Sequence, residues 1–232
     1  MSWIRNWTKK VFLFLLISHL VYLFALKWID PPITLTQVGS LLSGDGLKRD
    51  YVSSSAISRQ MKLAVIASED QLFPDHNGFD FRSIQKAMAY NKKKPGRVRG
   101  ASTISQQVAK NVFLWQGRSW LRKGLEVYFT FMIETFWGKK RILEVYLNVA
   151  EMGKGIFGVE SAAQHIFQKP AKALTAVEAA QLASSLPNPK VFTVKPGSRF
   201  VSSKYPWVLR QMANLSDDPD VQAIVSDPPQ KK

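Results

Sequence analysis

Between Val11 and Ile29 the chain is nearly continuous hydrocarbon and aromatic, broken only by Ser18, His19 and Lys27. Such a run is stable only inside protein or inside lipid, and at about 1.5 Å per residue it just crosses a bilayer. It is read as a single transmembrane helix over 11–29. A cleaved leader is the rival, but the run is long, and Phe24-Ala25-Leu26-Lys27-Trp28 at its end offers no small-x-small cleavage site. Arg5, Lys9 and Lys10 precede the span, and after Lys27 no basic residue comes before Lys48. The positive-inside rule then keeps residues 1–10 cytoplasmic and turns the rest outward.

Beyond the span the chain divides into a linker or small satellite over 30–57, a domain over 58–216, and a frayed, flexible tail over 217–232 rich in Asp, Pro and Lys. A 46% hydrophobic content in 232 residues is ample for one sizeable core. The absence of cysteine suits an oxidising exterior without proving it. The formal net charge of +15 demands an anionic partner. No acidic residue falls between Asp80 and Glu126, whereas Lys86, Lys92, Lys93, Lys94, Lys110, Arg118, Arg122 and Lys123 all do. Basic stretches generally suggest nucleic acid, but an outward-facing, tethered domain meets phospholipid and lipid-linked phosphate instead.

The domain reads as mostly helical. Met61, Val65, Ser68 and Leu72 recur at helical steps, so one face is expected to be buried while Glu69 projects near the C-terminal end. The helix dipole and apolar surroundings there disfavour a charged carboxylate, which suits a base working near neutral pH; a solvated Glu69-Asp70 pair is the plainer alternative. Asp70 and Asp75 are expected to brace the next turn, and His76 to be a hydrogen-bonded turn histidine. A short amphipathic stretch over 81–90 carries Lys86, and 91–100 reads as a mobile basic loop.

Thr103 and Gln106 have capping-box spacing, so a helix is expected to start there with Ile104, Val108 and Val112 on its apolar side. Thr103, Gln106, Gln107, Lys110 and Asn111 form a polar side of amides and hydroxyls around one ammonium, a combination suited to sugar hydroxyls and phosphate oxygens. The segment from Trp120 to Trp137 is apolar almost all round and reads first as a central core helix, second as one partly immersed in the membrane. Glu126 sits on it, four residues from Arg122. Further helices are expected over 139–150, over 159–167, and from the Thr175/Glu178 capping box to Pro187.

Glu69-Asp70-x-x-Phe73-x-x-His76-x-Gly78 is followed by Gly100-x-Ser102-Thr103-Ile104-x-Gln106-Gln107-x-x-Lys110-Asn111. Then come Arg122-Lys123-x-x-Glu126, Lys139-x-x-Ile142-Leu143-Glu144-x-Tyr146-Leu147-Asn148, and Gly155-Ile156-Phe157-Gly158-Val159-Glu160-x-Ala162-Ala163. In these five ordered motifs, across roughly residues 58–192, the chain resembles the peptidoglycan glycosyltransferases, and with its anchor it is most similar to their monofunctional members. Ala101 and Ser105 stand where glycine and threonine are common in that family, and Lys86 where arginine is.

The resemblance implies a mainly α, lysozyme-like, two-lobed domain behind one N-terminal transmembrane helix, with the smaller lobe dipped into the outer leaflet. It implies an inner-membrane enzyme with a periplasmic catalytic domain, working on lipid II and the growing lipid-linked glycan and possessing no transpeptidase domain. Cell-wall synthesis or division proteins would be further partners. The implied reaction joins β-1,4 links with inversion at the donor anomeric carbon and expels undecaprenyl pyrophosphate.

Glu69 and Glu126 are the implied catalytic residues, Glu69 as base. Lys86, Lys110 and Arg118 would clamp the departing pyrophosphate. Ser102, Thr103, Gln106, Gln107 and Asn111, with Arg122 and Lys123, complete the substrate contacts. Glu126 would orient these cations or hold a divalent ion, Mg or Mn, with no organic cofactor. Two other readings remain: a lytic or hydrolytic relative sharing the fold, and a non-catalytic basic module that only binds anionic lipid.

Overall fold

A computed structural model describes residues 2–94, 96, 100–117 and 119–226. Its helices in chain order are α1 (Ser2–Ala25), α2 (Leu35–Leu42), α3 (Arg59–Glu69), α4 (Phe81–Lys93), α5 (Ile104–Phe113), α6 (Trp120–Phe136), α7 (Lys139–Val149), α8 (Val159–Ala162), α9 (Ala176–Ser185), α10 (Arg199–Leu215) and α11 (Pro219–Val225). The architecture is mainly α, as expected. The little sheet present among the described residues has β1 (Lys48–Arg49) parallel to β3 (Ile156–Phe157), and β3 antiparallel to β2 (Glu151–Gly153).

Helix α3 forms the middle of the core. Ser58 caps its start by accepting the Met61 N–H, and every residue from Met61 to Ala67 is buried. This differs from the one-sided burial expected: Leu72, read as a fourth member of the stripe, lies past the helix end in an exposed turn. A helix covered on all sides shows no clean 3.6-residue stripe, so periodicity understates its burial. Helices α9, α10 and α11 pack on α3, while α2, α6 and α7 gather around α5; both groups draw on one continuous hydrophobic core.

Both segments that flank the expected domain contain regular structure. In 30–57, Thr34 and Gln37 close a capping box that starts α2, and β1 joins the sheet. That junction is tight: at Gly155, whose φ is +67°, a Cβ would collide with the Asp45 carbonyl oxygen. In 217–232, Asp218 caps α11, which buries Val221, Ile224 and Val225; residues 227–232 of the expected tail lie outside the described residues. Pro95, Arg97, Val98 and Arg99 of the expected 91–100 loop also lie outside them, and Asn91 to Lys93 belong to α4.

The apolar helix α1 begins before residue 11 and ends at Ala25, four residues short of the expected limit. The domain holds carbonyls near its end and just beyond it: Trp137 Nε1 donates to Leu23 O at 2.9 Å, and Arg141 donates to Leu26 O and, at 2.8 Å, to Ile29 O. The reading of α6 as a central core helix is overturned. Only Glu126, Thr130 and Ile133 are buried on it, while Trp120 is 93% exposed and Leu121 and Phe131 are exposed as well. α1 and α5 cover part of its circumference, and the rest is an outward apolar face of the kind lipid accepts.

Candidate active site

Glu69 is the last residue of α3, and the turn after it is locked from three sides. Asp70 is buried; its carboxylate meets His76 Nε2 at 3.0 and 3.1 Å and accepts the Ile104 N–H at 3.0 Å, so it joins the turn to the first residue of α5. His76 Nδ1 in turn accepts the Gly78 N–H, and Thr103 donates its hydroxyl to Gly78 O at 2.7 Å. Lys139, from α7, donates to His76 O and, at 2.7 Å, to Glu134 of α6, which also accepts from Ser105. Gly78 is required here: its φ is +88°, and a Cβ would stand 2.6 Å from Thr130 Cγ2. Asp70 and His76 therefore brace the turn as expected, whereas Asp75, expected to share that role, is exposed and enters the turn through its backbone N–H to Leu72 O.

With its backbone fixed, Glu69 keeps a half-exposed carboxylate. Oε2 accepts from Gln107 Nε2 at 2.9 Å, and the Ser68 hydroxyl lies 3.4 Å from Oε1. Gln107 Oε1 accepts from Tyr146 at 3.3 Å, so the amide is oriented by a phenol from α7. Burial pushes the Tyr146 phenol well above its usual pKa, with the charges of Glu69 and Asp70 acting in the same direction. No cation forms an ion pair with Glu69 among the described residues. Lys204 on α10 is near enough to feel its charge: burial lowers the Lys204 pKa and Glu69 opposes that shift.

Glu126 has the opposite setting. It is 3% exposed, accepts from Arg122 Nη1 at 2.7 Å and from Lys123 Nζ at 2.5 Å, and so has a cation on each oxygen. Arg122 Nε is buried with no hydrogen-bond partner among the described residues, which leaves one donor of that guanidinium unspent. Lys110 belongs to the same cluster. Burial lowers its pKa, Glu126 opposes the shift, and Arg122 and Lys123 reinforce it.

The two carboxylates meet α5 at different places. Gln107 reaches Glu69, while Lys110, three residues on and therefore a neighbour on the helix surface, faces Glu126. Of the other sequence-derived site residues, Thr103 and Gln106 are buried and spend their side chains on the capping box that starts α5. Asn111 is half-buried on the same helix, and Ser102 is exposed just ahead of it. Lys86 is exposed on α4 and makes no hydrogen bond or ion pair among the described residues. Arg118 lies outside those residues.

The sequence reading missed Tyr146 and Lys204 as neighbours of Glu69. Tyr146 falls on the apolar side of α7 with Ile142, Leu143 and Val149, where a single hydroxyl does not disturb the pattern, and no local signal brings Lys204 to a residue so far away in the chain. For a divalent ion the described residues offer no cluster of three or more His, Cys, Asp or Glu side chains, and both Glu126 oxygens are already committed to cations. The protein side chains alone do not fit such an ion at this point.

The family model described as transglycosylase matches residues 36–213. Proteins named biosynthetic peptidoglycan transglycosylase from Escherichia coli K12 and Shigella boydii are each 60% identical over 173 residues, covering 75% of this chain and 72% of theirs. The match takes in α2 and β1, in agreement with their integration into the fold, and runs through both carboxylate settings to α10. On a match of this extent, the chain belongs to the transglycosylase family.

Proposed function

We propose that this peptidoglycan transglycosylase polymerises lipid II. The 4-hydroxyl of the acceptor's N-acetylglucosamine attacks the anomeric carbon of the lipid-linked donor, with inversion. The new bond joins that oxygen to the anomeric carbon, the anomeric carbon–phosphate oxygen bond breaks, and undecaprenyl pyrophosphate leaves as an anion. The hydroxyl proton passes to Glu69, a transfer worth about 10²–10⁴-fold in rate when the base is well placed.

The observation that carries this reading is the division of charge along α5. Glu69 has only neutral hydrogen-bond partners and is half open, so it is able to take a proton, whereas Lys110, Arg122 and Lys123 collect around Glu126. A departing pyrophosphate needs charge neutralisation more than protonation, and this cluster supplies it. Glu126 serves as a positioning residue that holds Arg122 and Lys123 in place. Its pairing turns the unspent Arg122 Nε–H into a fixed donor. Ser102, Gln107, Asn111, Lys86 and Arg118 are assigned to sugar and phosphate contacts, and no step is routed through a metal ion.

In this reading α1 spans the inner membrane with residues 1–10 cytoplasmic and the domain in the periplasm, where the substrate's sugars are presented. The window Arg5–Ala25 has a mean hydropathy of 1.6 and is almost wholly unburied, which supports a lipid-facing helix.

The test is the detergent-solubilised protein and Glu69→Gln, each given labelled lipid II, with products separated by length and digested with lysozyme. Lysozyme-sensitive polymer from the parent and none from the variant is expected. Polymer from both would remove Glu69 from the mechanism, and dissolution of existing wall without polymer would favour a lytic enzyme.

A further inference from the structure

No acidic residue falls between Glu178 and Asp217 either, whereas Lys190, Lys195, Arg199, Lys204 and Arg210 all do. This second one-signed stretch comprises the end of α9, a loop and most of α10, and the proposed chemistry uses none of it. Helix α10 turns Val201, Val208 and Met212 inward. At 100° per residue, Phe200, Lys204 and Trp207 fall within about 60° of one another on a different side, and both aromatic side chains are exposed there. Phe200 is stacked on Phe192 from the preceding loop, with ring centroids 3.9 Å apart and planes 16° from parallel. Lys204 Nζ lies 5.9 Å from the centre of the Phe200 ring, within cation–π reach. The stripe is therefore held in shape before anything binds, and contiguous apolar surface rimmed by charge marks an interaction site.

We infer that this stripe is a track for the nascent glycan strand, whose sugar rings lie against Phe200 and Trp207 while the carboxylates of its stem peptides meet the surrounding cations. The C–H faces of pyranose rings are apolar and flat, and aromatic side chains offer them a matching surface. Three observations select the strand as occupant. From Phe200 to Trp207 the helix rises about 10 Å, room for more than one sugar ring. The cations are dispersed: Lys195 lies over the Phe167 ring at 4.7 Å, Lys190 is paired with Asp45 at 2.6 Å, and Arg199 and Arg210 are exposed. A pyrophosphate calls for converging cations, as Lys110, Arg122 and Lys123 converge around Glu126; a polymer with carboxylates at intervals suits dispersed ones. Finally, the stripe is continuous with the candidate site, because α10 packs on α3, whose last residue is Glu69, and Lys204 senses the Glu69 charge.

Phospholipid is the poorer occupant: α10 belongs to the helices packed on α3, while the anchor meets α6 in the other group. Stacking uses no directional hydrogen bond, which lets a strand stay held while it advances by a disaccharide in each cycle. The inference deepens the proposed polymerisation and rests on it for the identity of the strand.

The probe is a labelled, lipid-free, uncrosslinked glycan strand carrying its stem peptides. Its binding to the detergent-solubilised full chain is followed by fluorescence anisotropy for the parent, Phe200→Ala, Trp207→Ala and Phe200→Tyr, with Val177→Ala, exposed on α9, as control. Product length and KM are measured with labelled lipid II on the same proteins. Binding several-fold weaker in each alanine variant, with shorter products, is expected, while Phe200→Tyr, which keeps the ring, and Val177→Ala bind like the parent. Unchanged binding in both Phe200→Ala and Trp207→Ala would overturn the proposal, and so would equal losses in Phe200→Tyr and Phe200→Ala. A raised KM for lipid II at unchanged product length would overturn it in favour of the incoming acceptor. A parent that makes polymer but binds no strand would remove the track alone; one that binds strands through Phe200 and Trp207 but makes no polymer would keep the track and remove the proposed reaction.

Discussion

Glu69 and Glu126 are the same side chain in two opposed settings. Glu69 ends a helix, is half-exposed and has amide and hydroxyl neighbours; Glu126 is mid-helix, buried and bonded to two cations. A carboxylate whose partners are neutral can gain a proton without breaking an ion pair. One that bonds a guanidinium and an ammonium is committed to holding those two cations in place. The difference in partners is what the proposed proton acceptor and charge organiser each require, and α5 reaches both, through Gln107 and Lys110.

The largest effect should come from the acceptor. Glu69→Gln keeps the shape and should lower polymerisation by about 10²–10⁴-fold while leaving the thermal midpoint nearly unchanged; substantial remaining activity would break the assignment. Glu126→Ala should act through the fold as well as the rate, because it strands Arg122 and Lys123 beside Lys110. Losing one partner of a buried pair costs about 3 kcal/mol, readable by denaturant unfolding. If Glu126→Ala were as stable as the parent, the organiser role would fail and a direct role on substrate would replace it.

Gly78→Ala tests the scaffold rather than either carboxylate. The contact with Thr130 and the positive φ should together destabilise by about 2 kcal/mol, with activity falling only as the folded fraction does. The smallest effect is a pH shift. Burial holds the Lys110 pKa below the ordinary 10.5, so between the two values the unfolded chain binds more protons and this residue's contribution to stability rises with pH. Activity needs the charged form and should decline over that same window. Lys110→Arg, which stays protonated, should move the alkaline limb of the pH–rate profile upward; an unmoved limb would detach Lys110 from catalysis.

Much of the scaffold was legible because caps are local. Thr103 with Gln106 and Thr175 with Glu178 close the boxes their spacing announced, and Glu69 lies where the apolar run stops. The illegible remainder depends on distant neighbours. The Trp120–Phe136 helix has the composition of a core helix, yet its surroundings leave most of it outward, and composition does not distinguish protein from lipid as the apolar phase. The 30–57 segment has little periodicity because α2 is short and presents the wrong polarity for a soluble protein. At the site, the motifs name Gln107 and Lys110 together, but only the fold shows that one serves each carboxylate, and that Thr103 and Gln106 are occupied with the helix start.

The chain of bonds from Tyr146 through Gln107 to Glu69 has a direction: the phenol donates to the amide oxygen, and the amide N–H₂ donates to the carboxylate. Reversing it would aim an amide oxygen at a negative charge. Once Glu69 holds a proton, the penalty vanishes, since its new O–H can donate and Tyr146 can accept from a turned amide. While Glu69 is charged, the Gln107 amide is thus keyed to one of its two orientations, so a neutral side chain presents only its N–H₂ to the carboxylate.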